Sequence, residues 1–153
     1  MLKKLMQTDD DAGRLIVRLA LGIVFFPHGA QKLLGWFGGG GYAATMEGMT
    51  KMGLPAAVVF LVIFCEFFGS LSLITGFLGR LGALGILCVM VGAILTVHLP
   101  NGFFMNWMGN QKGEGVEYHI LAIGMALAIL IKGSGALSID RSMSDKGVYI
   151  SRR

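Results

Sequence analysis

Hydrophobic length is what most restricts this chain. Residues 15–34, 55–78, 81–99 and 116–131 each form a run that is almost wholly apolar. A helix rising ~1.5 Å per residue crosses a ~30 Å hydrocarbon layer in about 20 residues, so the first three runs are long enough to span a membrane. The last, at about 16 residues, is marginal on the same scale. With 54% hydrophobic residues, 14% charged residues and 24 glycines, the chain has too little polar surface to coat a water-soluble core of this size. The expected fold is all-α: one polytopic membrane domain over residues 1–153, built as a four-helix bundle.

The formal charge of +4 raises the question of nucleic acid. The basic residues flank the apolar runs and form no stripe interleaved with base-stacking aromatics, so nucleic acid is not an expected partner. They bear on topology instead. In a four-span arrangement Lys3, Lys4, Arg14, Arg18, Arg80, Lys132, Arg141, Lys146, Arg152 and Arg153 fall on one side, and Lys32, Lys51 and Lys112 on the other. That excess predicts both termini in the cytoplasm, with residues 140–153 as a polar cytoplasmic tail. The basic start and first apolar run lack a small-residue cleavage site before Trp36, so the first span is expected to be retained. Cys65 and Cys88 lie mid-span, without the spacing of a redox pair or haem attachment, and read as buried structural cysteines.

Polar residues inside the apolar runs carry the functional signal, because each needs a partner at that depth. His28, Gln31 and Lys32 stand at i, i+3 and i+4 in the first run and share one helix face. Pro27, just before them, deletes a backbone hydrogen bond and predicts a kink. Arg18, one turn inside the run, has a stem long enough to snorkel to the inner interface. In the second run Glu66 is about 11 residues from Pro55, hence ~16 Å deep. It shares a face with Gly69, Ser70, Leu73 and Gly76, so it is expected to face other helices, near His28 or Lys32. The third run has its own small face, Gly82, Gly85, Val89, Gly92 and Thr96, and ends on His98. The fourth opens on Glu117, Tyr118 and His119, with Gly124 and Ala128 in line below Glu117.

The loops are less specific. Residues 35–54 combine Trp36, Phe37, four consecutive glycines and a short helical segment, 42–52. Met46, Met49 and Met52 repeat there at three-residue spacing. They offer thioether ligands for a soft metal, or simply an apolar face that lays an interfacial helix on the bundle. At the other end of the chain's sequence, Asp9, Asp10 and Asp11 precede the first run and are placed to cap it.

Taken together, several segments resemble the DoxX family of small four-helix membrane proteins. They are His28-Gly29-Ala30-Gln31-Lys32-Leu33 before Gly35-Trp36-Phe37, Glu66 with Gly69, and Thr75-Gly76-Phe77-Leu78-Gly79-Arg80. His98-Leu99-Pro100-Asn101-Gly102-Phe103-Phe104 and Gly113-Glu114-Gly115-Val116-Glu117-Tyr118-His119 complete the set. The resemblance covers roughly residues 12–140. It implies an inner-membrane protein tied to respiratory or redox chemistry, as a subunit of quinone-reducing or quinol-oxidising complexes. It supplies no catalytic residue set, and whether the chain is itself an enzyme is left open.

In the four-span arrangement His28, Gln31, Lys32, His98, Glu117 and His119 all fall in the outer half, and Glu66 is the deepest of the set. Three readings compete. Imidazole and carboxyl groups beside an apolar cavity could hold a quinone head group and exchange its protons. The same residue types could ligate a metal, although no short H-x-x-x-H or E-x-x-H spacing supports one. They could also form a buried network that only fixes helix register. The expected function is an inner-membrane, redox-associated subunit that binds a quinone-like apolar ligand at this His/Glu site, the bilayer being one partner and a redox protein another. The alternative is a non-enzymatic membrane scaffold or a small-solute or metal pathway. Ligand, metal, electron donor and oligomeric state are not fixed by the sequence.

Overall fold

The computed structural model describes residues 2–150, with side chains from Lys4 to Ser144. It is all-helical, with no strand among the described residues. A short helix, α1 (Leu2–Met6), precedes the long α2 (Ala12–Leu34). Then follow α3 (Gly41–Lys51), α4 (Ala56–Thr75), α5 (Gly79–Ala93), α6 (Glu117–Lys132) and α7 (Ile139–Ile150). Helix α5 continues through a turn of π-helix, Ile94–His98, and a 3-10 turn, Leu99–Asn101. Three segments are long and apolar enough to cross a membrane: Ala12–Leu34, Ala56–Thr75 and Gly79–Asn101. Helix α6 has 16 residues and falls short of that length.

The packing is sequential and closed: α2 lies on α4, α4 on α5, α5 on α6, and α6 returns to α2. Small residues set the closest approaches. A Cβ placed on Gly29 would lie 2.5 Å from the backbone N and Cα of Phe67, and one on Gly82 would lie 2.8 Å from the carbonyl oxygen of Gly69. Neither backbone can yield, so glycine is what lets α2 touch α4 and α4 touch α5 at these points. Glu66, Gly69, Ser70 and Leu73 are all buried, as their shared face predicts. Gly92 and Gly124 are different, since a Cβ on either meets nothing within 4 Å. Those two lie outside the interhelical seams within the chain.

Arg18 corrects the sequence reading. It does not snorkel but is fully buried, and its guanidinium donates to the carbonyls of Leu73, Ile74, Ser134, Ala136 and Leu137. These are the carbonyls left without helical partners at the end of α4 and in the turn after α6, so one side chain caps two segments at once. Asp140 is the complementary device. Only 1% exposed, its carboxylate accepts from the backbone N–H groups of Leu78 and Gly79 and from the Ser134 hydroxyl. Leu78 has a φ of 52°, a left-handed conformation costly for leucine, and Asp140 holds it there. The segment read as a polar tail therefore begins inside the fold, and α7 extends it to Ile150; residues 151–153 lie outside the described residues. Arg80 completes this end by donating to carbonyls of Leu5, Gln7, Leu130 and Ile131. At the start of α2, Asp11 caps the helix as expected, accepting from the Arg14 N–H.

Candidate functional site

An open-sided cavity of about 810 Å³ runs along the helices from Leu81 on α5 to Lys32 near the end of α2 and to His98. That volume matches the clefts that take drug-sized ligands. Its walls are mostly apolar, with Phe25 from α2, Val62 from α4, and Val89 and Met90 from α5. The ionisable and polar lining consists of His28, Lys32, Glu66, Thr96, His98, Glu114, Tyr118 and His119, with Cys65 and Cys88. The two residues on α2 arrive there because α2 runs unbroken through Pro27, placing His28 and Lys32 one turn apart on the same face.

Glu66 is 5% exposed, and one carboxylate oxygen accepts from the Lys32 ammonium at 2.5 Å. The expectation that Glu66 meets the first helix near Lys32 is met. The contact depends on Gly29, which seats α2 against the backbone of Glu66 and Phe67 one turn before Lys32. His28 lies beside this pair on the cavity wall, its ring 6.2 Å from that of Phe25.

The second polar group comes from α5 and α6. The π turn at Ile94–His98 adds a residue to one helical turn, which rotates the chain after it and carries His98 to α6. There the His98 and His119 rings meet with centroids 4.0 Å apart. His98 Nδ1 is 2.9 Å from the Glu114 carbonyl oxygen. A carbonyl only accepts, so Nδ1 carries the proton, and in the neutral ring Nε2 is the acceptor. His119 is 5% exposed; its ring lies against the backbone of Gly115, one turn earlier, and its Nδ1 makes no hydrogen bond of normal geometry. The Tyr118 hydroxyl is buried and equally unpartnered, with its ring stacked on Phe25 at 6.2 Å. Buried polar atoms are almost always satisfied, so two unpartnered atoms on adjacent residues that line one cavity make these two residues candidates for a ligand's hydrogen bonds.

Two residues singled out in the sequence do not line the cavity. Gln31 donates to the Phe37 carbonyl, tying the end of α2 to the following turn. Glu117 accepts from the Met105 N–H and anchors the loop before α6. Tyr118 is not among the site residues the sequence singles out; its place one position before His119 at the start of an apolar run is the signal that points to it. The cysteines also differ from expectation: Cys88 is exposed and Cys65 half-buried, and both line the cavity. Met49 of α3 and Met52, just past its end, join its lining, whereas Met46 does not. Among the described residues no three His, Cys, Asp or Glu side chains converge as a metal site requires.

Comparison with known proteins fits this architecture. The DoxX family model matches residues 13–99. The inner membrane protein YqjF of Escherichia coli is 33% identical over 142 residues, covering 92% of this chain and 99% of YqjF. A Bacillus subtilis protein named "Putative oxidoreductase CatD" is 27% identical over 135 residues, 88% of this chain and 90% of its own length. The Mycobacterium tuberculosis membrane protein Rv3486 is 28% identical over 164 residues, 98% of this chain and 93% of its own length. No solved structure gives a significant match. The cavity-bearing helices lie largely within the matched region, the chain is a multi-pass protein of the inner membrane, and it belongs to the DoxX family.

Proposed function

We propose that this protein is a four-span inner-membrane subunit of redox chemistry whose outer-half cavity holds the head group of a quinone. In this reading α6 is the fourth span and both termini are cytoplasmic, which puts the cavity's polar end toward the outer face. The observation that carries the proposal is the pair of buried, unpartnered atoms, Tyr118 Oη and His119 Nδ1, on two adjacent residues that line a mostly apolar cavity. A quinone ring fits such a lining, because it needs a flat apolar slot and hydrogen-bond partners for two carbonyl oxygens. CatD, named as a putative oxidoreductase, supports the redox class.

The chemistry the bound quinone supplies is a two-electron, two-proton couple. The residues' part is to bind and to handle protons. The Tyr118 hydroxyl donates a hydrogen bond to an oxygen, and His119 Nδ1 does so when protonated there. His98 Nε2 is the acceptor available for a hydroxyl proton. The Lys32–Glu66 pair is internally neutralised and places no net charge against the ring. In this reading a redox partner protein delivers or removes the electrons.

A second reading has one observation behind it: Lys32 and Glu66 satisfy each other without a ligand, as a register-fixing network would. Purification in mild detergent, followed by solvent extraction and mass spectrometry, separates the two. Near-stoichiometric quinone that drops at least fivefold in Tyr118→Phe/His119→Phe protein of unchanged melting temperature supports the proposal. Absence of quinone, with the double variant less stable, supports the scaffold.

A further inference from the structure

The same cavity has a second, mostly apolar part. Val58, Leu61 and Cys65 of α4 recur at i, i+3 and i+7, and Leu81, Leu84 and Cys88 of α5 recur at the same spacing. Each trio is therefore one stripe along its helix, and the two adjacent helices present their stripes to one cavity. Most of these residues are open to the surroundings: Leu61 is 55% exposed, Leu81 45% and Leu84 42%. Through Thr96 the α5 side extends 15 residues, about 22 Å at ~1.5 Å per residue. Between Leu81 and Val89 the α5 wall carries only apolar side chains and Cys88, with Glu66 and its partner Lys32 lining the cavity across from it near the level of Gly85, whereas His98, Tyr118 and His119 stand at its far end.

We propose that this groove seats the polyisoprenoid tail of a membrane-resident quinone, which enters and leaves sideways from the bilayer between α4 and α5. This rests on the head-group reading above and names its substrate class as long-tailed, lipid-dissolved quinones rather than water-soluble ones. A compact ring would occupy only the polar end. The remaining α5 lining from Leu81 to Val89, about 12 Å at ~1.5 Å per residue and open to lipid, suits an apolar chain of comparable reach. A phospholipid is the competing owner of such a chain, and the polar end disfavours it. A phosphate needs a free cation, whereas the one lining cation, Lys32, is already taken by Glu66 at 2.5 Å. A neutral head with hydrogen-bonding oxygens fits where a phosphodiester does not.

The test uses the full chain in mild-detergent micelles free of phospholipid with two benzoquinone probes, each carrying a diazirine at the end of its tail, one tail short and one long. After photolysis, cross-linked peptides are mapped by mass spectrometry. The long-tailed probe is expected to label residues 81–88, and the short-tailed probe the end near His98 and His119. Unlabelled long-tailed quinone should lower both signals at least fivefold, and added phosphatidylcholine should lower neither. Leu84→Trp, which fills the groove from an exposed position, should cut long-tail labelling severalfold while sparing the short-tailed probe. Competition by phosphatidylcholine equal to that by quinone would hand the groove to an acyl chain and overturn the proposal. So would long-tail labelling spread evenly over lipid-facing residues while the short-tailed probe still labels the polar end. If neither probe's labelling is displaced by quinone, the head-group reading falls, and this inference with it.

Discussion

Replacing Lys32 with Met strands a carboxylate whose side chain is 6% exposed, in the interior of a helix bundle. Breaking a buried ion pair from one side costs about 3–5 kcal/mol, because the remaining charge is left without compensation. The reverse change, Glu66→Gln, is milder. The Lys32 side chain is 25% exposed and can turn toward the polar end of the bundle, so a cost of about 1–2 kcal/mol is expected. The double variant holds no buried charge and should lie within about 1 kcal/mol of wild type. The two single costs therefore exceed the double cost by at least ~3 kcal/mol, the upper end for directly contacting groups. Reversible unfolding in mild detergent by dodecyl sulfate titration, followed by circular dichroism, measures all three. A double variant whose loss equals the sum of the single losses would show that the pair is not coupled, and the geometry built on it would be wrong.

Other consequences are equally open to measurement. Gly29→Ala should push α2 off the Glu66–Phe67 backbone, lowering stability by about 1–3 kcal/mol in the same titration and weakening quinone retention through Lys32 and His28. Gly124→Ala, where a Cβ meets nothing within 4 Å, is the control and should be neutral or slightly stabilising by helix propensity. Arg18→Leu leaves five carbonyls without their donor at the other end of the bundle and should cost at least ~3 kcal/mol, with less folded protein recovered from membranes. Cysteines introduced at Gly40 and Gly109 should react with an impermeant thiol reagent added outside intact cells, and a reporter fused after Arg153 should be cytoplasmic; the opposite pattern would remove the four-span orientation.

The sequence carried the helical class, the three long spans and much of the site. Apolar length is a local property, and an acid at mid-span on a small-residue face can only turn inward, so Glu66 was legible. His28 and Lys32 were legible because helical spacing alone puts them on one face. What could not be read is non-local. Arg18 looked like a snorkelling residue because its partners are carbonyls more than fifty positions away, and carbonyls leave no mark in a sequence. Gln31 and Glu117 have the right chemistry at the right depth, but the turns beside them take their hydrogen-bonding capacity first. The rotation that brings His98 to His119 comes from a π turn, and π turns have no simple residue signature. Cys88 was read as buried because its neighbours are apolar, whereas the groove between α4 and α5 leaves it open.

The claim on which the rest depends is that Tyr118 and His119 hydrogen-bond a quinone's carbonyl oxygens. Isotope-edited infrared difference spectra of carbonyl-labelled quinone bound to the protein report on those bonds directly. Bound quinone should show both carbonyl bands at lower frequency than quinone free in lipid, with one band returning to the free value in Tyr118→Phe and the other in His119→Phe. Carbonyl bands at the free-lipid frequency in quinone-saturated wild-type protein would contradict the account.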